Sequence, residues 1–270
     1  MNGNPVIPEI KLANVVPGAA SVNSSEKGVN ETFVGLIQTS SDELRAYIKV
    51  LDARQLVNEL ICSTLGRSVG FPVPEGFLVR ASTSDLPESG ILAKLGGEAL
   101  IFASADVGRP SLKRRLTEDG AQFLASLLTT WKQWDVASIF DEWIANSDRH
   151  PGNLLIENPD KVWLIDHSHA LTGPGWTAED LVPGRAVGNQ IADNCFPRLT
   201  LPERMAVRAK AVQLSSVFGL VPPESALAAC HAAQLLGPSD LGAVRTFVGE
   251  RVGKLFDLVS ARLGIPNMGV

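Results

Sequence analysis

Asn146-Ser-Asp-Arg-His-Pro-Gly-Asn153, followed by Val162-Trp-Leu-Ile-Asp166-His-Ser-His-Ala-Leu171, is the stretch on which the reading of this chain turns. It sets an aspartate, Asp148, and an asparagine, Asn153, five positions apart on a loop. A second aspartate, Asp166, follows at the end of a short apolar run. Phosphoryl transfer from ATP needs that set: a carboxylate to receive the proton of an acceptor hydroxyl, and an amide and a carboxylate to hold Mg²⁺. Order and spacing match the pattern Asp-x-x-x-x-Asn with a later metal-binding Asp. Alone, Asp148 would serve as readily to cap the turn before Pro151-Gly152. With Asn153 and Asp166 at their spacing, Asp148 is the candidate catalytic base, and Asn153 and Asp166 are the candidate Mg²⁺ ligands and cofactor contacts.

Working outward, the chain changes character near residue 105. Before it the signals are strand-like with one helix. Thr32–Thr39 and Arg45–Leu51 are apolar-rich runs separated by Ser40-Ser-Asp-Glu43, the pattern of a hairpin. Asp52 then caps a helix with Leu56, Leu60 and Leu65 near helical spacing, and Gly70 ends it before Phe71-Pro-Val-Pro74. Gly76–Arg80 and Ala99–Ala103 are two further strands, and Ala103 is counted among the cofactor-binding candidates. From about residue 110 the periodicity is helical, over 119–128, 136–145, 202–218, 224–236 and 239–263. A small strand pair is expected at 154–156 and 162–165. The predicted fold class is α+β and bilobal, with a strand-rich N-lobe over 1–105 and a helical C-lobe over 106–270, and ligands bind readily in a cleft between such units.

Lys49 is a charge inside the strand Ala46-Tyr-Ile-Lys-Val-Leu51. A lone strand lysine usually points to solvent; here it is the candidate for bridging the α- and β-phosphates. Glu59 lies two turns into the following helix, within its apolar stretch, where an isolated carboxylate would be costly, so a Lys49–Glu59 pair is expected. A glycine loop of the form G-x-G-x-x-G is absent. The segment Gly18–Gly28 stands in its place; it serves equally as an ordinary hairpin loop or as a phosphate cradle made of its backbone N–H groups and the hydroxyls of Ser21, Ser24 and Ser25.

Two other function classes stay open. His150, His167 and His169 lie beside these acids, which allows a metal-dependent hydrolase with His167 and His169 on one strand face. That reading leaves Lys49 and Glu59 without a role. The other is a pseudokinase acting as a nucleotide-binding scaffold, against which the joint presence of Lys49, Asp148, Asn153 and Asp166 argues.

Bulk properties narrow the setting. The chain has 270 residues, 45% hydrophobic and 20% charged, the composition of a globular protein. Its net charge of −5 argues against nucleic acid as the main partner; the basic cluster Lys113-Arg114-Arg115 could contact an anionic ligand but reads more readily as a solvated helix start. Three scattered cysteines, Cys62, Cys195 and Cys230, fit a reducing compartment. No run approaches the roughly 18 apolar residues of a membrane span, and no signal-peptide pattern opens the chain, so a cytoplasmic location is expected.

Arg149-His150 after Asp148, then Leu164-Ile-Asp-His-Ser-His-Ala-Leu171, resembles the HipA-like kinases, bacterial relatives of the phosphoinositide and protein kinases. Tyr47-Ile-Lys-Val-Leu51, Asn58-Glu59-Leu60 and Gly70-Phe-Pro-Val-Pro74 are similar to that family too. The resemblance covers residues 32–171. It implies a protein-kinase-like fold, Mg·ATP as phosphate donor, Asp148 as catalytic residue, Asn153 and Asp166 on metal and Lys49 on phosphate. Some members phosphorylate serine or threonine of translation factors and pair with an antitoxin, so a protein substrate and a regulatory protein partner are expected. Some label a serine of their own glycine-rich loop, which singles out Ser24 or Ser25. The chain departs from the wider kinase pattern by lacking that glycine loop and by placing His167-Ser168 where Phe-Gly usually follows the metal-binding Asp.

Overall fold

The computed structural model describes residues 5–22, 30–109 and 131–266. Among the described residues, six strands precede residue 106: β1 (Lys11–Val15), β2 (Ala20–Ser21), β3 (Glu31–Gln38), β4 (Glu43–Val50), β5 (Gly76–Ser82) and β6 (Glu98–Ala105). β3 and β4 form the expected hairpin, paired from Glu31↔Val50 to Gln38↔Glu43. The sheet closes on itself, because β1 runs parallel to β5 and also antiparallel to β3, so the order β1-β5-β6-β4-β3 returns to its start. Strand alternation then sorts the side chains. Phe33, Ile37, Ala46, Ile48, Val50, Phe77, Val79, Ile101 and Ala103 pack together inside the closed sheet. Lys49, Leu78 and Phe102, one step out of phase, face outward.

Helix α1 (Ala53–Ser68) lies against that outer face. Its N-cap is Asp52, whose carboxylate accepts from the N–H groups of Arg54 and Gln55, both at 3.0 Å. Gly70 follows the helix with φ +77°, a left-handed turn that a side chain would strain. Every residue from Gln55 to Gly66 is buried, so α1 is covered on all sides. A glycine is needed at 66, since a Cβ there would stand 2.6 Å from Val73 Cγ2 and 3.2 Å from the Phe140 ring. α2 (Gly90–Lys94) is a short helix before β6.

The remaining described chain is mainly helical: α3 (Trp134–Trp143), the β-pair β7 (Leu154–Asn158) and β8 (Lys161–Leu164), then α4 (Gln190–Cys195), α5 (Leu201–Phe218), α6 (Pro223–Ala229), α7 (Ala232–Leu235), α8 (Pro238–Arg251) and α9 (Leu255–Arg262). Two expected long helices are each broken. The stretch 224–236 divides at Cys230 and His231, where His231 takes φ +58°. The cause is tertiary: Ile10 N donates to Ala229 O at 2.8 Å, and His231 Nε2 lies 2.8 Å from Ile10 O. The stretch 239–263 turns through a 3₁₀ segment, Val252–Lys254, where buried Arg251 is drawn inward to Glu142.

One large apolar cluster joins α1, the outer-face residues Leu78 and Phe102, α3, the β7–β8 pair and the C-terminal helices. α1 is therefore shared between the strand-rich and the helical part. Cys62, Cys195 and Cys230 are free and buried. Among the described residues no helix is long and apolar enough to cross a membrane. The helix expected over 119–128, Lys113–Arg115, Ser24 and Ser25 all lie outside the described residues.

Candidate active site

β4 presents Lys49 outward and α1 presents Glu59 toward it. Lys49 Nζ lies 2.7 Å from Glu59 Oε1 and 2.9 Å from Asp166 Oδ1. The second Glu59 oxygen accepts the backbone N–H of His167 at 3.0 Å. One half-buried cation thus holds two carboxylates from distant parts of the chain, and the residue after Asp166 is pinned to the same glutamate. Burial pushes the Lys49 ammonium down, but Asp166 and then Glu59 outweigh it and hold it above its ordinary value. Burial pushes the Asp166 carboxyl up, and the Lys49 ammonium overrides that, so it lies well below the usual carboxylate range. Glu59 is lowered in the same way, burial opposing and Lys49 prevailing. His167, 2% exposed, is held below its ordinary value by burial and then by the charge of Arg149, and is neutral at pH 7.

The loop after α3 forms the other half. Asn153 Nδ2 donates to the Asp148 backbone oxygen at 2.7 Å, which turns its Oδ1 the opposite way. Asn153 O accepts from Ile165 N at 3.1 Å, so the asparagine is wedged between Asp148 and the residue before Asp166. His150 Nδ1 accepts from Gly152 N at 2.9 Å, buttressing the 3₁₀ turn Pro151–Asn153. With Nδ1 so used, Nε2 is the ring nitrogen that faces Asp148 Oδ2, at 3.9 Å. Arg149 is wholly buried and forks onto Asp141 of α3, at 3.1 and 3.0 Å, while its third nitrogen reaches the carbonyls of Asn153 and Ile165. A single guanidinium therefore ties both loops to α3.

The backbone here is strained. Of the five non-glycine residues with positive φ among the described residues, four border these loops: Ala145, Asp166, Leu171 and Thr172. Each costs of order 1–3 kcal/mol, persists only where the surroundings over-determine it, and marks functional sites more often than plain scaffold. The over-determination is visible, since Leu171 N and Thr172 N donate to Ile144 O and Ala145 O across the two segments.

The family model for the HipA-like kinase matches residues 21–227. This chain belongs to the HipA-like kinase family. Among solved structures, the kinase is similar to the Helicobacter pylori proinflammatory kinase CtkA, with a TM-score of 0.56 and 11% identity over 95% of this chain and 98% of that one. At that identity the likeness concerns the fold. No curated protein sequence matches it.

Within this HipA-like kinase, not every sequence candidate reaches the site. Ala103 is fully buried inside the closed sheet, across from Ile48 and Phe77, on the face opposite Lys49. Its side chain is thereby turned away from the Lys49–Glu59–Asp166 group; strand phase, off by one residue, is the reason. Ser21 lies in β2, while Ser24 and Ser25 fall outside the described residues. His167 and His169 do not share a strand face, because the chain turns at Ser168–His169. Among the described residues no three His, Cys, Asp or Glu side chains gather to hold a metal in the way the hydrolase alternative requires.

Other residues of the site had no role assigned from the sequence. Asn58, fully buried, donates through Nδ2 to the carbonyls of Ser168, Ala170 and Gly173 at 2.9, 2.9 and 3.2 Å, and its Oδ1 accepts from Trp176 Nε1 at 2.9 Å. Asp141 and Glu142 lie in the apolar pattern of α3 and are buried with arginine partners. The available signal was a polar residue within an apolar helical stretch, which must find a partner.

Proposed function

We propose that this HipA-like kinase transfers the γ-phosphoryl group of ATP to a hydroxyl, with Mg²⁺ as cofactor and a serine or threonine of a protein as acceptor, its own Ser21, Ser24 or Ser25 included. Residues 1–105 act as the small lobe and 106–270 as the large one. The observation that carries this reading is Lys49 held at once by Glu59 and Asp166. An ammonium fixed beside a metal-binding carboxylate is a site for phosphate, which it meets as a point charge. The donor set suits magnesium: the Asn153 amide oxygen, turned away from Asp148, and the carboxylate of Asp166, both hard oxygen ligands. When bound, the ion neutralises charge on the phosphate oxygens.

The chain's own groups supply the rest. Lys49 fixes the α- and β-phosphates, and Glu59 fixes Lys49. Asp148, its side chain 35% exposed, orients the acceptor hydroxyl and takes its proton late in the transfer. Arg149 keeps the two loops in register through its bonds to both. A protein substrate and a regulatory protein partner complete the proposal.

Incubation with γ-labelled ATP and Mg²⁺, beside Asp148→Ala, tests the reading. Phosphate found by mass spectrometry on the chain or on a lysate protein, and lost in the variant while ATP still raises its melting temperature, is the expected result. Full transfer by Asp148→Ala would overturn the mechanism.

A further inference from the structure

Gln190 is the first residue of α4, far along the chain from the catalytic loop, yet its side chain meets Asp148. Gln190 Nε2 lies 3.3 Å from Ser147 O and 3.3 Å from Asp148 Oδ1. The amide has two protons, and the structure offers two acceptors on consecutive residues. Those acceptors also fix which way the amide points, because the reversed group would set Oε1 against both of them. A backbone carbonyl thus orients the amide, and the amide delivers its second proton to the carboxylate.

The support beneath Gln190 is rigid. Asn189, 1% exposed, caps α4 by accepting from Ala192 N at 3.1 Å. It also donates to Ser138 O at 2.8 Å and to Glu142 Oε2 at 3.3 Å, both on α3. Glu142 is in turn held by Arg251 and Arg262. Gly188 brings the backbone against the loop, where a Cβ would sit in contact with Ser147 at 3.6 Å. α3 therefore anchors the catalytic loop from one side through Asp141–Arg149, and Gln190 from the other through Asn189.

We infer that Gln190 is a positioning residue for phosphoryl transfer, donating to Oδ1 of Asp148 so that Oδ2 is the oxygen presented to the acceptor hydroxyl. The inference rests on the reading of Asp148 as the base. A carboxylate free to rotate about its terminal bond spends much of its time misaligned, and a donor on one oxygen removes that freedom at no cost in charge. Gln190 makes no described contact with Lys49, Asn153 or Asp166, so its effect falls on turnover and spares nucleotide binding.

The test compares wild type, Gln190→Ala, the isosteric Gln190→Glu and Asp148→Ala for ADP release from Mg·ATP and for labelling of the chain, with melting temperatures alongside. Gln190→Glu keeps the shape but removes both donated protons and sets a second carboxylate against the first. The expected result is a kcat lowered about tenfold in Gln190→Ala and further in Gln190→Glu, with KM for ATP within about twofold of wild type. Wild-type kcat in both Gln190 variants, with Asp148→Ala inactive, would overturn this inference alone. A raised KM at unchanged kcat would overturn it too, by assigning Gln190 to the nucleotide. Wild-type activity in Asp148→Ala, or no labelling and no ADP release by the wild-type chain, would overturn the underlying reading and this inference with it. A kcat loss matched by a collapse in melting temperature in both Gln190 variants would reduce Gln190 to a structural role.

Discussion

Lys49 is one charge facing two, and the consequences for pH can be worked out with their signs. Glu59 and Asp166 have carboxyls held below their ordinary values, so they stabilise the fold above about pH 4.5 and 4, and that contribution is lost as pH falls through their folded values. His167, held low by burial, stabilises above about pH 6.5, and its contribution is lost as pH falls. Lys49 is raised, so its contribution is complete below about pH 10.5 and is lost only as pH climbs through its folded value. Between pH 8 and 5 the wild-type chain therefore holds or loses stability on acidification. Lys49→Met reverses this. With the ammonium gone, burial dominates at Glu59, its carboxyl rises above the unfolded value, and protonation favours the fold. The urea midpoint of Lys49→Met is expected to be higher at pH 5 than at pH 8, with a deficit of about 3–5 kcal/mol at pH 8 for an uncompensated buried charge. A midpoint that falls with pH as in wild type would refute the account. The residue types of this cluster were legible in sequence, because a lysine inside a strand and a glutamate inside an apolar helical stretch each need a partner when buried; that Asp166 joins them was decided by the fold. Ala103 was misplaced because a strand's phase depends on which face a neighbouring helix covers.

At the scale of elements, α1 is the part on which the site depends. Asn58 and Glu59 are adjacent on it, and both reach the segment after β8: Glu59 to His167, Asn58 to three carbonyls and to Trp176. The helix and that segment are thus bonded as one unit with Lys49 paired. Removing the Asn58 side chain leaves several buried polar groups unsatisfied, at about 1–3 kcal/mol each where water cannot reach them. Asn58→Ala is expected to lose about 2–4 kcal/mol in chemical denaturation and to raise KM for ATP, since Glu59 loses its fixed register. Amide exchange should speed up together in α1 and in residues 167–173. Faster exchange in α1 alone would show that the two do not move as a unit. None of this was readable from periodicity, which reports an apolar face and says nothing of what a buried amide meets some 110 residues away.

At the scale of the molecule, the apolar core does not divide where the composition does. The interior of the closed sheet is a cluster of its own, but the larger cluster runs from α1 through α3 to α9. A fragment of residues 106–270 would expose the surface that α1 covers, and is expected to bind a hydrophobic dye and to lack a cooperative melt. The intact chain should melt in a single calorimetric transition. A soluble, cooperatively folded 106–270 fragment would show instead that the C-terminal part is independent of α1.

Local order was set along the chain. The hairpin at 31–50, the Asp52 cap, the turn at Gly70, the β7–β8 pair and the spacing of Asp148, Asn153 and Asp166 all rest on interactions among near neighbours, which leave their pattern in consecutive residues. The parallel pairing of β1 with β5, the break at His231, the turn at 252–254, the fork of Arg149 and the contact of Gln190 with Asp148 rest on partners far apart in sequence. Their energy comes from satisfying buried polar groups and packing apolar faces, and both depend on what the folded chain brings alongside. Near-neighbour chemistry thus singled out the candidate groups, and long-range burial decided how each of them is held.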